Sequence, residues 1–345
     1  MQFPLFQAPE SWRKITTLDM HTEGEPLRVI MSGFPELEGR HILDYRAFAR
    51  DNWDTLRTAL MWEPRGHADM YGAILTPPVS PEADFGTFFL HNEGYSTMCG
   101  HAIIALATLA VETGLIKKEE GDNPVTIDTP AGLVKAFVRV KFGEIQSAYF
   151  QNVPSFVVAL DQEIEVEGMG KITYDLAFGG AFYAYVKAAD ARVGLDGKDF
   201  RDLIDKGMRI KRAVMESSAL VKHPFEKELS FLYGTIFVGE ADEESMADSR
   251  NVCVFAEGEV DRSPTGTGVS GRMAIHHARG EVKVGEQMLI ESILGTQFWG
   301  SVIEETSFGD FKAIIPQVEG RAFITGKHEF LIDPRDPLGE GFILR

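Results

Sequence analysis

The feature that most constrains the fold of this chain is a pair of matching stretches, one in each half. The first opens with Cys99-Gly100 and the second with Thr265-Gly266. Each opening is followed by a run with the pattern of a helix of about four turns, and a glycine closes both runs at the same spacing, where a helix C-cap is expected. We therefore predict two related halves, each presenting a helix N-terminus to a shared cleft.

The repeat extends to the surrounding elements. The order strand, loop, small residue with glycine, helix, strand, glycine, strand occurs twice, at a spacing of about 165 residues. It predicts two pseudo-symmetric domains, which suits a chain of 345 residues. Residues 1–177 carry Cys99, residues 178–329 carry Thr265, and 330–345 are expected to return to the first domain.

The helix after Cys99 is apolar almost all round, so it must be buried on every side. The expected fold is therefore α+β, with a sheet wrapped around a central helix in each domain. Helical spacing of apolar residues predicts two further helices, over 44–60 and 200–217. Residues 19–26 form a polar turn between two predicted strands, where ligand contacts are common, although a surface turn is the simpler interpretation.

The composition narrows the classes of partner. A net charge of −18 makes nucleic acid and anionic membranes poor partners, and no apolar run approaches the roughly 20 residues of a membrane span. The N-terminus lacks the pattern of a secretory signal. With two cysteines, a disulfide framework is not expected and the cytoplasm is the predicted location. A homodimer is compatible with the sequence, which does not set the oligomeric state.

Cys99 and Thr265 are the candidate reactive side chains. The unpaired N–H groups and the dipole of a helix N-terminus favour thiolate over thiol, so Cys99 is expected to act without a neighbouring histidine. An inert buried cysteine is the simpler alternative, and it is our interpretation of Cys253, in the middle of a strand. Thr265 is an ordinary helix N-cap, but two facing helix N-termini would also make an anion site suited to a carboxylate.

Three other features bear on cofactors and ligands. Asp261 lies just before the turn that leads to Thr265. It is expected either to pair with a substrate ammonium or to solvate the loop. Residues 266–271 match G-x-G-x-x-G, but Pro264 stands where a strand should run directly into the first glycine, so a nucleotide-dependent oxidoreductase is disfavoured. His276-His277 lacks the spacing and the neighbours of a metal site. No metal and no cofactor are predicted.

Three segments resemble the proline racemase superfamily, which includes proline racemases, 4-hydroxyproline epimerases and trans-3-hydroxy-L-proline dehydratases. They are residues 19–26 (DMHTEGEP), 98–101 (MCGH) and 261–268 (DRSPTGTG). The likeness is spread over most of the chain, and the three motifs together are specific. It implies the diaminopimelate-epimerase-like fold, an active site between two domains and no cofactor. Glu23 stands where many members of the superfamily have glycine.

The resemblance also implies roles for individual residues. Cys99 would be the general base, and Asp261 would hold the ring nitrogen of the substrate. Tyr233 is a further candidate, near a position where epimerases of the superfamily tend to have a histidine. The residues expected to hold the substrate carboxylate and ring are Gly100, His101, Gly266 and Thr267.

The segment 261–268, which contains Thr265, distinguishes between the activities of the superfamily. Its racemases and epimerases have cysteine in both motifs, whereas Cys99 followed by Thr265 is the pattern of its trans-3-hydroxy-L-proline dehydratases. Racemisation needs a second group that returns a proton from the opposite face, and a threonine hydroxyl is too weak an acid and base for that. In trans-3-hydroxy-L-proline the Cα hydrogen and the 3-hydroxyl share one ring face, so Cys99 alone is able to serve both. We therefore predict dehydration to Δ1-pyrroline-2-carboxylate, with Thr265 hydrogen-bonding the substrate.

Two alternatives stay open from the sequence. One is a 4-hydroxyproline epimerase or proline racemase that uses another residue as the second base. The other is a catalytically inactive protein that binds proline analogues, against which the intact Cys99 and Asp261 argue.

Overall fold

The computed structural model of the chain describes residues 3–217 and 219–344. The first series of elements is β1 (Arg13–Thr22), β2 (Glu25–Ser32), α1 (Ile42–Met61), β3 (Tyr71–Thr76), β4 (Phe85–His91), β5 (Gly94–Ser96), α2 (Gly100–Glu112), β6 (Gly121–Thr129), β7 (Gly132–Lys141) and β8 (Glu144–Gln151). The remaining elements are β9 (Ser155–Val166), β10 (Gly170–Phe178), β11 (Phe182–Lys187), α3 (Ala188–Ala191), α4 (Phe200–Ser217), β12 (Leu232–Gly239), β13 (Ser249–Phe255), β14 (Glu259–Val260), α5 (Gly266–Ala278), β15 (Gln287–Glu291), β16 (Gln297–Phe308), β17 (Phe311–Gly320) and β18 (Ala322–Ile332).

The strand pairing repeats from one half to the other. β1 pairs antiparallel with β2, and β10 pairs antiparallel with β11. In each half a parallel pair of strands is connected through a helix. β2 pairs with β3 and α1 lies between them in sequence, and β11 pairs with β12 and α4 lies between them. A second parallel pair spans the central helix in both halves, β4 with β6 and β13 with β15. The internal repeat predicted from the sequence is thus confirmed at the level of hydrogen-bonded strands.

The helices α2 and α5 are the centres of the two halves. Every residue of α2 from Gly100 to Val111 is buried, and the helix contacts β1, β2, β6, β7, β8 and β18. The other helix, α5, contacts β9, β10, β11, β16 and β17. Burial of each large apolar side chain stabilises the fold by about 1.5–3 kcal/mol. The side chains of the wrapped helices therefore contribute to the stability of the core. A sheet around a central helix in each half was predicted and is confirmed.

Glycines close both central helices as the spacing predicts. Gly114 has a φ of +77° and Gly280 a φ of +74°, the left-handed conformation of a helix C-cap. The two peripheral helices are also confirmed, α1 over the predicted 44–60 and α4 over the predicted 200–217. In α4, a side chain at Gly207 would collide with Val254, since an added Cβ would lie 2.7 Å from the valine Cβ. This glycine lets the helix pack closely against β13.

The two halves are joined through the sheet and exchange their last strands. β18 pairs antiparallel with β1, and β9 pairs antiparallel with β10 in the equivalent place. β17 continues the sheet onto β8 of the other half. Near the C-terminus, the Phe342 amide donates a hydrogen bond to the Glu63 carbonyl (2.9 Å). The domain boundaries at 177/178 and 329/330 stay predictions; β9 and β10 pack on α5, and β18 packs on the α2 side.

Candidate active site

The N-termini of α2 and α5 meet at the join between the halves. A Cβ added to Gly100 would lie 3.1 Å from the Cα of Gly266, and a Cβ added to Gly266 would lie 3.1 Å from the Cα of Gly100. Any side chain at either glycine would therefore separate the two helix ends. A cleft of about 470 Å³ opens at this contact, a suitable size for a small ligand.

All eight residues that the sequence nominated line this cleft. They are Cys99, Gly100, His101, Tyr233, Asp261, Thr265, Gly266 and Thr267. They come from the starts of the two central helices, from the connection before α5 and from β12. The structure brings them together, while the individual roles that the resemblance implies stay predictions.

The segment 19–26 packs against the segment 98–101. Thr22 Oγ1 donates a buried hydrogen bond to the carbonyl of His101 (2.7 Å), which fixes the first turn of α2 against β1. Glu23 adopts a φ of +47°, in the region that favours glycine, and its carboxylate accepts hydrogen bonds from the backbone and side chain of Arg321. This ion pair explains how the chain accommodates a glutamate where many members of the superfamily have glycine.

Cys99 sits at the start of α2 in an extended backbone conformation, with a φ of −148° and a ψ of 102°. Its thiol is 5% exposed, and its Sγ lies 3.2 Å from Nδ1 of His101. Burial raises the pKa of the Cys99 thiol well above its usual value, the backbone amide of Ala102 opposes this, and the carboxylate of Asp261 adds to it. Burial also lowers the pKa of His101 to about 4.

The thiol and the imidazole are therefore both neutral near pH 7. The expectation that the helix N-terminus alone would favour the thiolate was wrong, because the loss of hydration outweighs the dipole and the amide. His101 is in hydrogen-bond contact with the thiol, so the structure supplies a base that the prediction for Cys99 did not require. A proton can pass from sulfur to this imidazole without leaving the site.

Thr265 occupies the matching place at the start of α5, in a different conformation. Its φ of +69° and ψ of 104° are unusual for a β-branched residue and cost conformational energy. Its buried Oγ1 has no hydrogen-bond partner of ordinary geometry among the described residues. Cys253, fully buried in β13, lies behind it: burial and Asp261 raise the pKa of this thiol, and the Thr265 hydroxyl lowers it. Cys253 does not line the cleft, as the sequence predicts.

Thr267 occupies the place in α5 that His101 has in α2. Its hydroxyl is 2.8 Å from the hydroxyl of Tyr183, a buried side chain that also lines the cleft. Neither of these hydroxyl groups exchanges protons readily near pH 7, and burial holds the pKa of Tyr183 well above its usual value. The α5 side of the cleft thus offers hydrogen bonds, whereas the α2 side offers a thiol with a base beside it.

One wall of the cleft is acidic. Asp261 is 6% exposed, and its Oδ1 accepts hydrogen bonds from the amide and the hydroxyl of Ser263 (both 2.8 Å). Glu25 is 1% exposed, and its Oε2 accepts a hydrogen bond from the amide of Arg262 (2.7 Å). Burial, followed by the nearby charge of Asp261, raises the pKa of Glu25 well above its usual value. Two carboxyl groups with buried, low-dielectric surroundings form a site for a cation.

A set of tyrosines covers the thiol from the other side. Tyr71 donates a hydrogen bond to Ser96 (2.8 Å), packs edge-on against His101 (ring centroids 4.9 Å apart) and lies close enough to Cys99 to affect its pKa. Tyr233 stacks on Phe255 with the ring centroids 5.3 Å apart. Both tyrosines carry pKa values well above the usual one, chiefly because they are buried.

The sequence did not nominate several residues of the cleft wall. They are Glu25, Tyr71, His91, Tyr183, Lys211 and Glu257. Only Glu25 lies in one of the three motifs, where its position in the polar turn was a usable signal. The others come from strands, a helix and a turn that have no local pattern of a site, and they reach the cleft through the tertiary fold.

The G-x-G-x-x-G match has a packing explanation. Added Cβ atoms at Gly268 and Gly271 would lie 2.5 Å from Ile236 and 2.3 Å from the Tyr185 hydroxyl. The glycines therefore let α5 approach its sheet. The strand before them, β14, ends at Val260, and an irregular connection separates it from the helix, so the context of a dinucleotide site is missing.

Within residues 3–217 and 219–344, no group of three or more His, Cys, Asp or Glu side chains is arranged to hold a metal ion. In the same residues, no helix has both the length and the apolar character that crossing a membrane requires. The absence of a cofactor stays a prediction.

The chain is similar to proteins of one family along almost its whole length. It is 48% identical to a trans-3-hydroxy-L-proline dehydratase from Colwellia psychrerythraea, over 97% of this chain and 94% of that protein. It is 43% identical to a trans-L-3-hydroxyproline dehydratase from Xenopus tropicalis, over 98% and 97% of the two chains.

The fold comparison agrees. The crystal structure of a hydroxyproline epimerase from Agrobacterium vitis with bound trans-4-hydroxy-L-proline matches with a TM-score of 0.86 and 34% identity, over 96% of both chains. The predicted diaminopimelate-epimerase-like fold is confirmed. Residues 17–343 match the proline racemase family, and the chain belongs to this family.

Proposed function

We propose that this protein is a trans-3-hydroxy-L-proline dehydratase, a hydro-lyase that forms Δ1-pyrroline-2-carboxylate and water. The observation that carries the proposal is the one-sided placement of proton-transfer groups: Sγ of Cys99 lies 3.2 Å from Nδ1 of His101, whereas Thr265 and Thr267 offer only hydroxyl groups. The names of the Colwellia and Xenopus relatives support the same activity.

The substrate carboxylate is placed at the joined helix N-termini. Gly100, His101, Gly266 and Thr267 contribute the first turns of α2 and α5, whose free N–H groups and dipoles favour an anion. The ring nitrogen, which is a secondary ammonium at neutral pH, faces the carboxylate of Asp261. This orientation directs the Cα hydrogen and the 3-hydroxyl of the trans-3-hydroxy-L isomer toward Cys99.

The reaction begins with transfer of the thiol proton to Nδ1 of His101. The imidazolium is stabilised by the substrate carboxylate and by Asp261, whose charge raises the pKa of His101 against the effect of burial. The thiolate then removes the Cα proton, and the developing charge spreads into the carboxylate held by the helix N-termini. The thiol returns this proton to the departing 3-hydroxyl, water leaves, and His101 gives its proton back to the Cys99 thiolate. The C2–C3 enamine then tautomerises to the C2–N imine.

A hydroxyproline epimerase is the second candidate, because the Agrobacterium vitis structure has that name and shares the fold. Epimerisation needs a proton donor on the far face of the Cα. Thr265 is the side chain that the motif assigns to that place, and its hydroxyl has no hydrogen-bond partner of ordinary geometry among the described residues. The dehydratase therefore remains the proposal.

The deciding experiment is incubation of the purified protein with separate isomers of proline, 3-hydroxyproline and 4-hydroxyproline. We expect trans-3-hydroxy-L-proline alone to give a cyclic imine that is lighter than the substrate by one water. Formation of 4-hydroxyproline epimers without imine would replace the proposal by the epimerase. Binding of these ligands without any turnover would replace it by the inactive binding protein.

We also propose a cytoplasmic location, supported by two free, buried cysteines in the described residues and by the absence of a disulfide requirement. The homodimer stays a prediction, which light scattering of the purified protein would test.

A further inference from the structure

Glu25 is the most unusual acid of the cleft, and the proposed mechanism does not use it. It is buried in β2 and lines the cleft beside Cys99 and Asp261. One carboxyl oxygen, Oε2, is held by the amide of Arg262. The other, Oε1, is buried with no hydrogen-bond partner among the described residues. A buried, unpartnered carboxyl oxygen at a ligand cleft is costly unless a ligand satisfies it.

The two carboxyl oxygens of Asp261 also differ in their hydrogen bonding. Oδ1 accepts both hydrogen bonds from Ser263, and within the described part of the chain no group donates to Oδ2. The backbone links the two acids, because the amide that holds Glu25 belongs to the residue after Asp261. The acidic wall therefore presents two open carboxyl oxygens, one from each half of the protein.

The ring nitrogen of a proline-type ligand has two N–H groups, one for each of the two open carboxyl oxygens. A secondary ammonium has two N–H groups and one positive charge, and both N–H groups need acceptors once the ligand leaves water. Asp261 alone supplies one open oxygen. A second acceptor is required, and Glu25 Oε1 is the buried carboxyl oxygen on the same wall that lacks a donor.

We propose that Glu25 is the second acceptor for the ring ammonium, and that it gives up a proton to solvent when the ligand binds. The inference rests on the proposed function, since it assumes a proline-type ligand in the cleft. In the free protein, burial and the neighbouring Asp261 raise the pKa of Glu25 and so favour its protonated form, which avoids two adjacent buried charges. When the ammonium enters, the Glu25 proton leaves, and the two carboxylates then share the cation between them.

Charges of both signs act on Glu25. The groups that act on it or on which it acts are Asp261, Asp69, Arg262, Cys99 and Cys253. Arg262 favours the carboxylate, but burial and the two aspartates outweigh it and hold the pKa of Glu25 above its usual value. A bound ammonium adds a positive charge and lowers this pKa. Proton release is therefore expected between the pKa of the bound form and that of the free form, and it should disappear above the latter.

Calorimetry with L-proline tests the inference without turnover, because L-proline has the ring ammonium but no 3-hydroxyl to eliminate. Titrations in buffers of different ionisation enthalpy count the protons released. We expect proton release to approach one per ligand bound at a pH between the bound and free pKa values of Glu25, and to decline toward zero as the pH rises above the free value. Tetrahydrofuran-2-carboxylate, which has a ring oxygen and no N–H, should bind without release.

Glu25→Gln is the matching variant, since the amide oxygen can still accept from Arg262. Its NH₂ group would then face the ligand ammonium, so L-proline should bind about ten- to a hundredfold more weakly, with no proton release. Glu23→Gln is the control: it alters a buried acid of the same turn that pairs with Arg321 outside the cleft, and proton release should persist.

Wild-type protein that binds L-proline without releasing a proton would overturn the inference, even if the Glu25 variant failed to fold. So would proton release that survives in Glu25→Gln, or failure of the wild type to bind any ring amino acid. The two proposals fail separately: proton release on binding L-proline with no imine from trans-3-hydroxy-L-proline would refute the dehydratase and leave Glu25 as the ammonium acceptor.

Discussion

The starts of α2 and α5 are equivalent in the fold and different in chemistry. Each begins with a small residue and glycine, and in both the fifth residue donates its amide to the carbonyl of the first, Ile103 to Cys99 (3.0 Å) and Val269 to Thr265 (2.7 Å). They diverge at the first residue, cysteine in α2 and threonine in α5, and at the third, histidine in α2 and threonine in α5. The fold supplies two matching helix N-termini, and in the proposed mechanism the two side chains on the α2 side, Cys99 and His101, determine which face of the substrate exchanges protons.

Removing the thiol should have the largest effect. Cys99→Ser keeps the size and polarity of the side chain but lacks a group that ionises near neutral pH, so we expect kcat for dehydration to fall roughly 10²–10⁴-fold. Cys253→Ala is the control, because that cysteine is buried outside the cleft and its loss should leave most of the activity. Substantial activity in Cys99→Ser would refute the assignment of the base.

Removing the base next to the thiol should rank second. In His101→Asn the amide can still reach the sulfur but cannot take its proton, so kcat should fall about 100-fold with a smaller change in KM. The kinetic constants should be measured together with the circular dichroism of the variant. If the thiol acts alone, kcat will be nearly unchanged, and the contact of 3.2 Å between sulfur and Nδ1 is then only structural.

The corresponding change in α5 should be much milder. Thr265→Ala removes one hydrogen bond to the substrate, which is worth about 1 kcal/mol or roughly a fivefold loss in kcat/KM. Thr265→Ser should restore most of that loss. A loss in Thr265→Ala as large as that in Cys99→Ser would mean that the two sides contribute equally and that the chemistry is symmetric.

Adding a thiol to α5 tests the comparison in the opposite direction. Thr265→Cys places a second ionisable group on the far face of the Cα, so we expect slow conversion of L-proline to the D isomer, which the wild type should not catalyse. Chiral chromatography of L-proline after long incubation measures this. A folded variant that shows no trace of D-proline would indicate that residue 265 does not decide between elimination and racemisation.

The smallest effect concerns the ionisation of the thiol in the free protein. Because burial raises the pKa of Cys99, the thiolate is stabilised only at alkaline pH, and labelling by iodoacetamide should accelerate above the usual thiol range. Mass spectrometry should find the label on Cys99 and not on Cys253, which is fully buried. Rapid labelling of Cys99 at pH 6 would contradict the raised pKa.

Local patterns in the sequence predicted much of this molecule. The spacing from Cys99 to Gly114 and from Thr265 to Gly280 predicted both central helices, and the apolar character of α2 predicted that it is wrapped by strands. The three motifs predicted the cleft, because motif residues at helix starts and in short connections have few ways to come together.

Asp261 and Tyr233 were nominated through the resemblance, but the places of Glu25 and Tyr71 in the cleft were not predicted from local patterns. Glu25 and Tyr71 line the cleft from β2 and β3, two strands that are far apart in sequence and become neighbours only in the folded sheet. The protonation of Cys99 was predicted wrongly because local sequence reveals the helix dipole and not the depth of burial. Effects that depend on surrounding residues distant in sequence were therefore the ones missed.

The most direct test of one-sided chemistry is the configuration of substrate recovered from a partial reaction in D₂O. The wild-type protein should leave only trans-3-hydroxy-L-proline, with any deuterium at Cα in the retained configuration, because the thiol of Cys99 returns protons to the face from which it takes them. Recovery of cis-3-hydroxy-D-proline, the epimer at Cα, would show that a proton arrives from the Thr265 side and would contradict the account.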